Sequence, residues 1–405
     1  MSSIVSRCLF AVAVAALTLA VGCADRTSVT GPSAAAPSSN AILVPVPRPD
    51  PSAYAEISAG GSFTCARRNS GTVICWGAIV DAGSHPSAVR MPLTLDTLRA
   101  LSISAGSAHI CAVTTASDGV CWGDGDQGQL GNNLGYGPAQ PALVAGGHKF
   151  LAIGGGMMVT CGIATDGAFC WGRHPDWSTQ TIDDINSPVQ ISASIGDYRT
   201  VTVGTEHACT TGVGSSGREV DCWGMNSAGQ LAIDPTIFPH FTPYTIRSLF
   251  TTPVRRVATR DSTTCAELVS GVVQCAGVNS QGQLGNGTTG GSSFQPQTVA
   301  GGHVFHGVSV GETHVCAIDD QNRAFCWGKN SMGELGDGTL NSSNIPVAVS
   351  GGLTFRAIAA GYQHTCAIGT DNGLYCWGAN YYGQAGQGTT NGIAWVNPGR
   401  VHDPR

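Results

Sequence analysis

Fourteen of the sixteen cysteines set the strongest constraint on what this chain can become. They fall into seven local pairs: Cys65 with Cys75, Cys111 with Cys121, Cys161 with Cys170, Cys209 with Cys222, Cys265 with Cys275, Cys316 with Cys326 and Cys366 with Cys376. The first member recurs every 46 to 56 residues. That period is the size of a propeller blade or a solenoid unit. Five of the gaps are ten residues, one is nine and one is thirteen. A gap of ten around a tight turn such as Asp371-Asn372-Gly373 sets the two cysteines opposite each other across a hairpin. In a non-hydrogen-bonded antiparallel pair the Cα atoms approach to about 4.5 Å, the short end of the disulfide range. Thr165-Asp166-Gly167 supplies a shorter turn for the nine-residue gap, and the thirteen-residue gap is expected to place its surplus in a loop from Gly212 to Gly217.

The amino terminus reads as an export address. Arg7 precedes a thirteen-residue apolar run, Leu9 to Val21, which is short for a bilayer span. The run ends in Leu19-Ala20-Val21-Gly22-Cys23, which resembles a bacterial lipobox and implies cleavage before Cys23 and acylation of its thiol. An ordinary secretory signal with a chance cysteine is the alternative; either way the protein leaves the cytoplasm. Ala24 after Cys23 points to the outer membrane or cell surface as the destination. Residues 1–22 are thus expected to be a signal peptide and 23–53, rich in Ser, Ala, Thr and Pro, a flexible tether. The folded part is expected to run from 54 to 405.

In an exported chain, cysteines in even, local pairs are best read as disulfides. Metal binding competes with this, because His109, His207, His314 and His364 each stand two residues before a cysteine and would face the same side of a strand. Zinc, however, needs four ligands, and Phe63, Val159 and Thr263 replace the histidine in the other three repeats. The expectation is no metal, with the histidines making a structural hydrogen bond inside each repeat.

Trp-Gly follows the second cysteine in six repeats, and Ala276-Gly277 stands there in the fifth, which predicts looser packing in that blade. Next comes Asn-x-x-Gly-Gln-Leu-Gly, complete as Asn279 to Gly285 and absent after Trp76 and Trp171. Pro-x-x-Val and Gly-Gly-x-x-Phe then mark further strands, as in Pro296 to Val299 and Gly301 to Phe305. Together these motifs resemble the regulator of chromosome condensation repeat family over roughly residues 54–405. The resemblance implies an all-β, seven-bladed β-propeller with about fifty residues per blade. Physical reasoning agrees, because such short strands cover both faces only when four-stranded sheets pack radially. The Pro-x-x-Val-like unit at Pro398 to Val401 has no repeat after it, so the C-terminal strand is expected to close the ring by completing the first blade.

Composition and motifs narrow the function. Charged residues make up 11% of the chain and the formal net charge is -6, which argues against binding a nucleic-acid backbone. Gly123-Asp124-Gly125-Asp126-Gln127-Gly128 matches Gly-x-Gly-x-x-Gly, but no helix follows, so it is not read as a nucleotide site. The chain lacks the phosphate-loop, nucleophile-elbow and His-Glu-x-x-His motifs. No catalytic residue and no cofactor are assigned.

Propellers display variable loops on a rigid ring, so partner binding is the expected activity. The candidate contact residues are Arg173 and Trp177 after blade three, Phe238, Phe241 and Tyr244 in the aromatic-rich connection after blade four, and Tyr381 and Tyr382 after blade seven. The expected protein is a monomeric, lipid-anchored scaffold that binds an extracytoplasmic protein or glycan and touches the membrane only through its anchor. Guanine-nucleotide exchange, which the resemblance also implies through the family's nuclear member, is the alternative.

Overall fold

The computed structural model describes residues 50–79, 83–90, 99–135, 141–175, 182–192, 198–214, 217–236, 242–390 and 394–402. Side chains are described for all of these except 79, 83–90, 174–175, 182–183, 214, 217 and 242–247. Pro49–Arg405 is one compact unit. It contains seven four-stranded antiparallel sheets at residues 54–90, 100–143, 150–192, 202–247, 254–298, 305–348 and 355–400, here called blades one to seven. The described residues contain no helix.

Cysteine register determines the hairpins. In every blade the two cysteines are direct cross-strand partners on the second and third strands. All seven expected pairs form disulfides. Cys65 is bonded to Cys75, Cys111 to Cys121, Cys161 to Cys170 and Cys209 to Cys222. Cys265 is likewise bonded to Cys275, Cys316 to Cys326 and Cys366 to Cys376. Their Cα separations are 4.0 to 4.1 Å, as close opposition across a hairpin requires. The two odd gaps close through two-residue loops, after Ala164↔Gly167 and Gly214↔Gly217. Blade four therefore differs from expectation: Gly212, Val213 and Gly214 pair with Glu219, Arg218 and Gly217, so the surplus lengthens the strands instead of forming a loop. The cysteine pairing fixes the register, and each added residue on one strand finds a partner on the other.

Second strands are sandwiched on both sides and mostly buried, wholly so in His109–Thr114 and His314–Asp319. Fourth strands are outer edges and half-exposed, as in Ser292–Thr298. They carry Pro296, Pro346 and Pro398, because an outer edge can tolerate a missing ladder donor. The apolar core is divided into seven clusters, each joining two adjacent blades. In the seam between blades four and five, Phe250 and Leu231 pack in the same buried cluster as Ala276, so the fifth blade stays filled despite the missing tryptophan.

The ring does not close by strand exchange. The C-terminal strand Trp395–Arg400 pairs with Leu374–Gly378 and finishes blade seven. Blade one already has its own fourth strand, Gly83–Arg90, paired with Val73–Ile79, so it offers no vacant edge. Closure comes from side chains: Tyr54, Ile57 and Trp76 of blade one pack with Ile368, Leu374 and Val401. Val401 lies just past the last strand, so the C-terminus does contribute to the closing seam, through packing.

Candidate functional site

Each histidine bonds across a seam, not within its own repeat. His109 Nε2 lies 2.8 Å from Thr160 Oγ1, His207 Nε2 2.9 Å from Thr264, His314 Nε2 2.9 Å from Thr365, and His364 Nε2 2.8 Å from Thr64. In every case the threonine belongs to the next blade, with blade seven reaching blade one. Thr160 and Thr365 donate their hydroxyl hydrogens to the carbonyls of Gln129 and Glu334, so the imidazole Nε2–H must donate to the threonine oxygen. Burial pushes all four imidazoles down to about 3, so they are neutral at physiological pH. Where Phe63, Val159 or Thr263 replaces the histidine, the facing position in the next blade is Ile110, Ala208 or Val315. Every polar seam thus has both partners, and every other seam has lost the threonine as well.

A second network uses the loop carbonyls. The indole N–H groups of Trp76, Trp171, Trp327 and Trp377 donate to Gln384, Gln129, Gln283 and Glu334 of the preceding blade's Gly-Gln-Leu-Gly-type loop, at 2.8 to 3.0 Å. Blades one and three lack that loop. Accordingly, Trp122 Nε1 is buried without a partner among the described residues, and Trp223 Nε1 turns to Cys170 Sγ at 3.2 Å. The conspicuous His, Trp and Gly-Gln-Leu-Gly residues therefore build the ring.

Function is better sought where the copies disagree. The turns between first and second strands meet around one mouth of the central channel, which encloses about 180 Å³ and is lined by the first strands. Six repeats place a glycine at the head of this turn: Gly60, Gly106, Gly156, Gly204, Gly311 and Gly361. A Cβ at Gly106 would sit 2.3 Å from the His109 ring and 2.6 Å from Gly156 O, so close packing of the next blade dictates the glycine. A chain of backbone bonds runs round the mouth: Gly61 N to Ser107 O, Ser107 N to Gly156 O, Met157 N to Gly204 O, Thr205 N to Asp261 O, Glu312 N to Gly361 O and Tyr362 N to Gly60 O. Among the described residues the step from blade five to blade six has no such bond.

Blade five breaks the pattern with Arg260, next to Thr263 rather than a bulky ring. Its side chain crosses the mouth. Arg260 Nη1 donates to Ala59 O of blade one at 2.9 Å, and the guanidinium lies 5.1 Å from the Tyr362 ring centre of blade seven. Asp261 Oδ1 accepts from Thr205 Oγ1 at 3.0 Å. Half-burial, reinforced by the nearby Asp261 charge, pushes the Glu312 carboxyl up. Arg260, Asp261, Glu312, Tyr362, Thr205 and Met157 line a shallow depression there. Its residue types, a guanidinium and an aromatic ring flanked by carboxylates, are those that anchor protein contacts. No group of three His, Cys, Asp or Glu side chains among the described residues is arranged to hold a metal.

Of the residues expected to contact a partner, Tyr381 and Tyr382 are 49% and 48% exposed, and Tyr381 Oη lies 3.8 Å from Met332 Sδ. Arg173 is exposed and donates to Gln127 Oε1 of blade two at 2.9 Å. Trp177, Phe238 and Phe241 lie outside the described residues, as does Cys23; Tyr244 sits on the strand Thr242–Arg247 with its side chain outside them. Phe250, a further aromatic of that connection, is buried. Arg173 on blade three and the tyrosine pair on blade seven are not brought together. Arg173 lies within the third strand Gly167–Pro175 and the tyrosines just past Leu374–Gly378; these strands reach the same face as the turns at the mouth, as the bonds Arg173 N to Met158 O and Ala379 N to Gln363 O show. Arg260, Asp261, Glu312 and Tyr362 escaped the sequence reading, although the break in the glycine position was its visible signal.

The description "Regulator of chromosome condensation (RCC1) repeat" matches residues 54–78, 305–334 and 355–384, and a second description of that name matches 321–368. Blades one, six and seven of this seven-bladed propeller thus carry matches to the RCC1 repeat. Among curated RCC1-like relatives, the ultraviolet-B receptor UVR8 of Arabidopsis thaliana is 32% identical over 209 residues, 49% of this chain and 46% of UVR8. The probable E3 ubiquitin-protein ligase HERC3 of Homo sapiens is 31% identical over 121 residues, 29% of this chain and 11% of HERC3. The chain therefore spans less than half the length of these relatives. Among solved structures, Prp20p from Saccharomyces cerevisiae, described with its binding to Gsp1p and histones, superposes with a TM-score of 0.70 at 18% identity, covering 87% of this chain and 88% of its own. Human WBSCR16 gives 0.68 at 18% identity, covering 79% and 85%. At that identity these two structures establish the RCC1 fold alone.

Proposed function

We propose that this protein is a non-catalytic scaffold that binds a partner protein outside the cytoplasm, anchored to a membrane through a lipid on Cys23. The contact face is the one carrying the mouth turns and the loops after the third strands. The observation that carries this reading is Arg260: it interrupts a sterically dictated glycine ring and places a guanidinium beside Tyr362, Asp261 and Glu312 at the centre of that face. Exposed Tyr381 and Tyr382 extend the same face outward. Seven buried disulfides suit an oxidising compartment, which supports export and weighs against exchange on a cytosolic GTPase.

The test is surface crosslinking followed by affinity capture with three variants. Arg260→Gly restores the turn of the other six repeats, Tyr381→Ser with Tyr382→Ser removes the exposed pair, and Val269→Ser alters the turn between second and third strands on the opposite face. Loss of the same partner in the first two but not the third is expected. Capture unaffected by the first two, or lost only in the third, would place the contact elsewhere. Palmitate labelling that survives Cys23→Ser would remove the anchor from the reading.

A further inference from the structure

We infer that Cys161–Cys170 is a redox-addressable site in the propeller, open to thiol reductants that the other six disulfides exclude. Both its cysteines are 2% exposed, whereas the other twelve are at 0%. The difference is small in area, but its cause is structural. Blade three lacks the Gly-Gln-Leu-Gly loop and runs on into the long hairpin Gly167–Pro175 and Ile182–Ser192. Among the described residues no loop carbonyl reaches Trp223, whose indole donates to Cys170 Sγ instead. The facing residues in this seam, Val159 and Ala208, are also small, and a narrow cleft of about 10 Å³ lies beside Val159, Cys161, Cys170, Ala208 and Trp223. Blade one lacks the same loop, yet Phe63 and Ile110 fill its seam and Cys65–Cys75 stays sealed.

Hydrogen bonding sets the direction of the chemistry. A thiolate of an external dithiol attacks Cys161 Sγ, forming a mixed disulfide and breaking the Sγ–Sγ bond. The bonding pair stays on Cys170 Sγ, where the Trp223 N–H, 3.2 Å away, stabilises the departing thiolate. The second thiolate of the reductant then attacks its own sulfur in the mixed disulfide, releasing Cys161 as a thiolate and leaving the reductant as a disulfide. The protein gains two electrons, and its two thiolates take protons from solvent. Ser248 Oγ also lies 3.2 Å from Cys222 Sγ, but that sulfur is fully buried, so a polar neighbour alone does not make that bridge reachable.

The experiment treats the folded protein with limited dithiothreitol, blocks free thiols with iodoacetamide, then unfolds, fully reduces and labels with N-ethylmaleimide before peptide mass spectrometry. Cys161 and Cys170 should carry iodoacetamide at doses that leave the other twelve oxidised. Trp223→Phe should slow their labelling several-fold. Val159→Phe with Ala208→Ile, which installs the side chains of the sealed seam, should bring them to the protection of Cys65 and Cys75. Another pair reduced first, or all fourteen labelled together, overturns the inference. So does an unchanged rate in both variants.

Discussion

Removing one acceptor from a histidine seam should cost more than removing the pair. In Thr365→Val the His314 Nε2–H stays buried with no acceptor, while the Glu334 carbonyl keeps its bond from Trp377. A buried donor left unsatisfied costs about 1–3 kcal/mol. In His314→Phe the Thr365 hydroxyl still donates to Glu334 O, so the loss should be smaller. The double variant copies occupants already present in the ring, Phe63 at the histidine position and Val315 at the threonine position. Its cost should fall below the sum of the single costs by about 0.5–3 kcal/mol, the range for residues in direct contact. The assay is urea unfolding with disulfides intact, followed by tryptophan fluorescence at pH 7.5.

The same variants carry a pH signature. His314 is neutral in the folded ring, with its pKa pushed down to about 3 mainly by burial. Unfolded, it titrates near its ordinary value of about 6.5. Its depressed folded pKa means that the unfolded chain binds the extra proton throughout that interval. Stability is therefore fully present above about pH 6.5 and declines as pH falls towards about 3, by about 1.4 kcal/mol per pH unit for each histidine once the unfolded form is protonated. Four such histidines act together, so His314→Phe with Thr365→Val should remove about a quarter of their combined slope between pH 5.5 and 4.5. Additive single costs, a neutral Thr365→Val, or an unchanged pH slope in the double variant would each refute the seam argument.

Further tests probe other parts of the ring. Trp377→Phe should lower stability by about 1 kcal/mol through its lost hydrogen bond, whereas Trp122→Phe, which removes a buried N–H with no partner among the described residues, should be neutral or stabilising in the same assay. Deleting residues 394–405 should markedly lower the melting temperature, because it strips the fourth strand from blade seven and Val401 from the closing seam; an unchanged value would show that the ring closes without them. Exchanging Gly106 for Ala should destabilise the fold, since its Cβ would meet the His109 ring and the Gly156 carbonyl, while Arg260→Gly should be tolerated.

The chain's blades were legible before its seams. A disulfide-closed hairpin is a local object, with partners nine to thirteen residues apart, so spacing alone predicts which cysteines face each other. Seam partners are far apart in sequence, 51 residues for His314 with Thr365 and 300 for His364 with Thr64, and a repeat viewed alone offers no sign of them. That is why the histidines were assigned a bond inside their own repeat. Their pairing with threonine in the following repeat was nonetheless present in the sequence. The site was less accessible: a broken glycine at 260 is visible in aligned repeats, but not where its guanidinium goes.

The repeat, the cysteine register and the number of blades are all readable from the amino-acid order, because they depend on side-chain alternation and turn length within about fifty residues. Assembly of the ring put the C-terminal strand on blade seven, carried Arg260 across the channel mouth and set one disulfide beside a narrow cleft. Each of those outcomes depends on which surfaces meet when the ring closes. An edge strand pairs with whichever strand lacks a neighbour, and a seam is sealed or open according to the summed volumes of two side chains contributed by different repeats.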